Sequence, residues 1–143
     1  MNVCFAPCPV VFDLDGTLID SAPDIHACVN AVLRLRGVRP LTLDQVRGFV
    51  GGGVDLLWRR VIGATGLPTD AHRDLVASFM TRYHEATGLT RLYPNVIEAL
   101  GILADRGYPL GICTNKPLGP TRAVLEHLGI DRLFGVVIGG DSL

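Results

Sequence analysis

The stretch VVFDLDGTLIDS, residues 10–21, decides how this chain is to be read. The apolar, β-branched run PVVFDL, residues 9–14, reads as a buried strand. It ends on two aspartates one residue apart, Asp13 and Asp15, followed by Gly16 and Thr17. Residues i and i+2 of a strand point to the same side, so both carboxylates are expected to face one spot at the strand's carboxyl end. In open parallel sheets that end is where ligands bind. Gly16 permits a sharp turn and a close approach of its amide to an anion. Two adjacent carboxylates repel and require a cation or a shared proton. Mg²⁺ prefers oxygen ligands, meets that need and binds phosphate as well. The pair also suits covalent chemistry, one aspartate attacking phosphorus while the other protonates the leaving oxygen and then activates water. A calcium loop fails on spacing, since Thr17 and Leu18 stand where that loop needs an acidic or amide residue and a glycine. A plain Asp-Gly turn ending a strand is the competing reading.

Outward from this stretch the hydrophobic period changes. Ile25, Cys28, Val29, Val32 and Leu33 fall at helical spacing, and Gly37 is the expected stop. TLDQ, residues 42–45, reads as a capping box opening a second helix with Val46, Phe49 and Val50, broken by the glycines at 51–53. Two more helices are expected around Leu57, Trp58 and Val61, and around Leu75, Phe79 and Tyr83. Asn95 and Glu98 look like a cap pair for a fifth helix ending at Gly107. YPLGICTN, residues 108–115, is the next strand, followed by a helix carrying Val124, Leu125 and Leu128, then the strand FGVVIGGD. This order predicts an α/β fold with a parallel, Rossmann-like but incomplete sheet, interrupted by an inserted all-helical domain. The expected boundaries are residues 1–18 and 91–143 for the α/β core and 19–90 for the helical insert.

Composition narrows the function classes. The chain has 143 residues, enough for one domain or a small domain with an insert, and 48% of them are hydrophobic, enough for a real core. A net charge of -1 argues against nucleic acid or an anionic membrane as partner. No apolar run is long enough to span a bilayer, and the N-terminus lacks the pattern of a secretory signal. Cys4, Cys8, Cys28 and Cys113 are scattered, which fits reduced thiols in a cytoplasmic protein. The four histidines lack ligand spacing.

The D-x-D-G-T does not stand alone. VVFDLDGTLIDS resembles the first motif of the haloacid dehalogenase-like phosphatases, and LGICTNK resembles their second, an apolar strand ending in Thr or Ser. The helical insert after the first motif resembles the cap of one subgroup. LIDSAPDI, RGFVGGGVDLL and LYPNVIEAL are similar to sequences of the phosphoglycolate phosphatase group within that family. The resemblance implies a Mg²⁺-dependent phosphatase acting on a small phosphomonoester, 2-phosphoglycolate first, through an aspartyl-phosphate. It implies Asp13 as nucleophile and metal ligand, and Asp15 as acid/base that also gives its backbone carbonyl to Mg²⁺. Gly16, Thr17, Thr114 and Asn115 are implied on the phosphate side. Lys116 either approaches the phosphate or points to solvent. Arg47 either meets a substrate carboxylate or is solvated, and Gly51, Gly52 and Gly53 either form a loop that closes on substrate or a plain turn.

The chain departs from the family's pattern at its end. The third motif, a lysine, and the fourth, an acidic pair supplying further Mg²⁺ ligands, are expected beyond GGDSL, and Asp141 is not promoted into their place. The expectation is therefore an N-terminal portion of a phosphatase with an open apolar sheet edge, prone to self-association. Weaker metal binding and lower or absent activity are expected with it. The alternatives are a phosphosugar mutase or other capped phosphatase, and a non-catalytic remnant that only binds phosphate, metal or a partner chain.

Overall fold

The computed structural model describes residues 7–142, so Cys4 lies outside the described residues. The fold is α/β, with a three-stranded parallel sheet and six helices. The sheet consists of β1 (Val10–Phe12), β4 (Leu110–Cys113) and β5 (Val136–Ile138) in the order β1-β4-β5. Val10 aligns with Leu110 and Phe12 with Ile112, while Gly111 aligns with Val136. Helices α5 (Val96–Asp105) and α6 (Leu118–His127) connect these strands. Both bury residues on one side of the sheet, Leu100 from α5 and Val124 and Leu125 from α6 packing with Leu110 and Ile112. The other face, along Val11, Gly111 and Val136, carries no helix among the described residues. Val11 is 63% exposed there and Val136 60%. Among the described residues β1 pairs with β4 alone, which leaves its outer edge unpaired as expected.

Between β1 and α5 the chain forms a helical block. Its helices are α1 (Ala22–Leu35), α2 (Leu43–Arg47), α3 (Gly53–Thr65) and α4 (His72–Tyr83). The Thr42–Gln45 capping box is present in both directions and opens α2. That helix is shorter than the sequence period predicts, ending at Arg47, with Phe49 and Val50 in the following turn. The block has its own core, in which Trp58 meets Phe79 edge-on at 5.9 Å and Phe79 leans on Tyr83 at 4.6 Å. Such aromatic geometry adds to the area buried.

The block enters and leaves through two adjacent linkers. β2 (Ile19–Asp20) and β3 (Arg91–Leu92) pair antiparallel, Ile19 with Leu92 and Asp20 with Arg91. Ile19 packs in the sheet's core, whereas Ile25 belongs to the helical one. The buried Asp24 ties the linkers to α1, accepting from the amides of Leu89 and Thr90 at 3.0 and 2.7 Å and from the Thr90 hydroxyl at 2.7 Å. One expectation fails: Asn95 does not cap α5 with its side chain. Its backbone is left-handed (φ 66°), a conformation asparagine tolerates, so it serves the turn instead. No helix among the described residues is long and apolar enough to cross a membrane.

Candidate active site

Strand β1 ends at Phe12, yet the alternation of sides persists for three more residues. Leu14 is fully buried, while Asp13 and Asp15 both line one cavity at the carboxyl end of the sheet. Thr114, Asn115 and Lys116 enter the same cavity from the end of the neighbouring strand β4. The parallel pairing of β1 with β4 thus brings the two sequence motifs together from about a hundred residues apart. The helical block covers the site with Gly51, Gly53, Leu57, Phe79 and Tyr83. Beneath this cover the cavity is narrow, near 30 Å³, and partly open to solvent.

The polar groups are tightly arranged. Asp13 Oδ1 accepts from the Leu14 amide at 2.7 Å, and among the described residues no cation pairs with it. Asp15 Oδ1 accepts from the Ser21 hydroxyl at 2.5 Å and from Lys116 Nζ at 3.3 Å. The Lys116 side chain is 4% exposed. Its ammonium also donates to the Tyr83 hydroxyl and lies 4.4 Å from the centre of the Tyr83 ring. Burial pushes the Lys116 ammonium below the usual lysine value, and Asp15 opposes that shift. Burial first, and then the charge of Asp15, push the Tyr83 phenol well above its ordinary range. Thr114 Oγ1 accepts from the Lys116 amide at 3.2 Å, which folds the loop after β4.

Several residues singled out in the sequence sit differently from expectation. The Gly16 amide donates to the Ile19 carbonyl at 2.9 Å and that of Thr17 to Leu14 at 3.2 Å. The tight turn, with Gly16 at φ 79°, uses both amides, so neither is free for a phosphate. Asn115 reaches across to the helical block, its Nδ2 donating to the Gly51 carbonyl at 2.9 Å. Arg47 does not line the cavity. It pairs with Asp20 at 2.6 Å, and that hydrogen bond raises its pKa further. Gly51 and Gly53 line the cavity and Gly52 does not. Lys116 does not point to solvent: its side chain is buried and lines the cavity. Asp141 accepts from the Leu118 amide at 2.7 Å at the start of α6, a capping role away from the carboxylates.

Sequence reasoning passed over Ser21, Tyr83 and Gly140. Ser21 had a signal, since it closes the opening motif. For Tyr83 there was none, because a helical period shows only that it is buried. Gly140 lies under the Asn115–Lys116 loop, where an added Cβ would collide with the Asn115 carbonyl oxygen. Lys116 itself carried an unused signal: it is the chain's only lysine, and the other twelve of its thirteen Lys and Arg residues are arginine.

The comparisons with known proteins agree with this arrangement. A family model described as haloacid dehalogenase-like hydrolase matches residues 10–143. A phosphoglycolate phosphatase of Cereibacter sphaeroides is 48% identical over 137 residues, covering 94% of this chain and 63% of that protein. Phosphoglycolate phosphatase 1 of Pseudomonas aeruginosa is 36% identical, over 94% of this chain and 51% of the relative. The chain therefore spans roughly half to two thirds of the length of these relatives. A crystal structure described as a predicted phosphoglycolate phosphatase from Haemophilus somnus superposes with a TM-score of 0.87 at 34% identity, over 97% of this chain and 64% of that one. With its paired aspartates just past β1, its threonine just past β4 and this match along nearly its whole length, the chain belongs to the haloacid dehalogenase-like hydrolase family.

Proposed function

We infer that this chain carries the nucleophile half of a phosphomonoester hydrolase site, with 2-phosphoglycolate as the substrate it fits best. The observation that carries the reading is the convergence of Asp13, Asp15 and Thr114 on one cavity at the carboxyl ends of two parallel strands. A carboxylate oxygen of Asp13 attacks phosphorus, and the bond from phosphorus to the substrate oxygen breaks. Asp15 gives its proton to that leaving oxygen. Asp15 then takes a proton from a water whose oxygen attacks the phosphorus of the aspartyl-phosphate. Asp13 is released as a carboxylate, and inorganic phosphate departs. Thr114 is suited to hold a phosphoryl oxygen through its hydroxyl. The substrate choice is supported by the names of the relatives. Residues 19–90 act as a helical cap on an α/β core of residues 1–18 and 91–143, and the two readily distinguished hydrophobic cores support that division.

The donor set fits a magnesium ion. Asp13 offers carboxylate oxygen without a cationic partner among the described residues, and Asp15 stands beside it. Among the described residues no group of three or more acidic, His or Cys side chains surrounds them. Mg²⁺ is commonly held by one or two carboxylates, with water and substrate phosphate completing the shell, so the Asp13 carboxylate and the Asp15 backbone carbonyl would serve as the protein ligands of a weak site, leaving the Asp15 carboxyl for proton transfer. When bound, the ion offsets the repulsion between the attacking carboxylate and the phosphate.

The test is Mg²⁺-dependent phosphate release from 2-phosphoglycolate by the 143-residue chain, beside Asp13→Asn. Release that needs both the metal and Asp13 supports the reading. An isomerised sugar phosphate in place of free phosphate would point to a mutase. No release above the Asp13→Asn control would leave phosphate or metal binding as the function of this chain.

A further inference from the structure

We propose that Tyr83 is a positioning residue of the anion site: carried on α4, it seats the Lys116 ammonium beside Asp15, so that the helical block supplies part of the site's charge geometry as well as its cover. The proposal rests on the reading of the cavity as a phosphate site and adds a residue to it.

A buried ammonium is unfavourable unless it is paired and hydrogen-bonded. Lys116 meets that condition through Asp15 on the sheet side and Tyr83 on the block side. The ammonium sits at the hydroxyl end of the Tyr83 ring, 4.4 Å from its centre. An ammonium has three N–H donors, and these two partners occupy two of them. The third is left for an anion in the cavity that Lys116 and Asp13 both line. The residue type matters here. Lysine presents a compact charge on a slim stem, whereas the broad guanidinium of arginine needs a fork of acceptors. A chain that uses arginine at every other basic position keeps its one lysine at this point.

Tyr83 is held by the block's own core. It is 4% exposed and leans on Phe79, which in turn meets Trp58. Its hydroxyl therefore moves with α4. Any shift of the block against the sheet would move the partner that fixes Lys116. The Asn115 contact to Gly51 forms a second link across the same gap.

The single lysine makes the proposal directly testable. The full chain, isotope-labelled only at lysine, gives one side-chain signal in nuclear magnetic resonance. In the wild type the signal is expected away from that of a solvated lysine, and inorganic phosphate is expected to move it. Tyr83→Phe keeps the ring and removes the hydroxyl. It is expected to shift the lysine signal and to weaken phosphate binding by about tenfold, the range for losing one hydrogen bond to a charged group. Tyr83→Leu is expected to do the same, with backbone amide spectra verifying the fold of each variant. An unchanged lysine signal and unchanged phosphate affinity in Tyr83→Phe would overturn the proposal. Phosphate that moves the Asp13 and Thr114 amides equally in all three proteins, without moving the lysine signal, would also overturn it while the phosphate-site reading stands. Phosphate that moves nothing in the wild type would overturn both.

Discussion

The helical block buries Trp58 and Phe79 completely, whereas the sheet leaves Val11 and Val136 open to solvent on one face. Both regions are built from similar apolar runs, so the difference lies in layering. In the block, α1, α2, α3 and α4 close on one another around one core. In the sheet, both crossover helices fall on the same side, because β1, β4 and β5 follow one another in one direction and such crossovers share a hand. The second face carries no helix among the described residues. Two hydrogen bonds span the cavity where the two regions meet, Asn115 to Gly51 and Lys116 to Tyr83, beside apolar side chains such as Leu57 and Phe79.

The comparison can be broken most severely from within the block. Phe79→Ala removes the ring between Trp58 and Tyr83 and is expected to cost about 3–5 kcal/mol in urea unfolding. A cost below 1 kcal/mol would mean that the block is not a self-sufficient core. Next comes the joint between the regions. Asp24→Ala leaves two amides and a hydroxyl without their acceptor and is expected to cost roughly 2–4 kcal/mol. Faster hydrogen exchange at Leu89 and Thr90 would localise the damage to the linker.

Gly140→Ala pushes a methyl group into the Asn115 carbonyl and is expected to cost ~1–3 kcal/mol. The same variant should weaken phosphate binding, as the Asn115–Lys116 loop shifts. On the open face the expected effect on stability is smallest. Val11→Ser should change it by no more than about 0.5 kcal/mol, as exposed positions do. The change should appear instead as reduced self-association in sedimentation velocity. A large loss of stability would mean that the face is covered in the protein as it exists in solution.

The cysteines sharpen the contrast chemically. Cys8 and Cys113 are exposed, while Cys28 is buried in the block. Burial, aided by the charge of Asp24, pushes the Cys28 thiol up to about 11 from 9.0. At pH 8 a thiol reagent should label Cys8 and Cys113 and spare Cys28. The folded state holds this proton more tightly than the unfolded chain does. The corresponding contribution to stability is thus intact below pH 9 and declines as pH rises from 9 toward 11. A Cys28→Ala variant should lack that decline.

Much of the architecture was legible in the residues. The switch from period 2 to period 3.6 after residue 20 marks the inserted helices, and the Thr42–Gln45 capping box is local enough to be read directly. Asn95 was misread because a cap and a left-handed turn draw on the same residue type, and the backbone around it decides between them. The Gly16 amide, expected to approach an anion, is taken up by the turn for a similar reason: a glycine signals a turn, but not which carbonyl its amide will find.

The sequence by itself determined that two carboxylates stand at the end of a strand, that a second strand ends in Thr-Asn-Lys, and that a helical insert separates them. These are properties of near neighbours, set by alternation, turn chemistry and helical period. Only the tertiary structure decided that Lys116 is buried between Asp15 and Tyr83, that Arg47 is drawn off to Asp20, and that Asn115 bridges to the helical block. Each of these depends on a partner between 27 and 101 residues away or in the other region. A charged side chain's fate is set by which opposite charge or acceptor the folded chain brings within reach, and that information is spread over the whole packing.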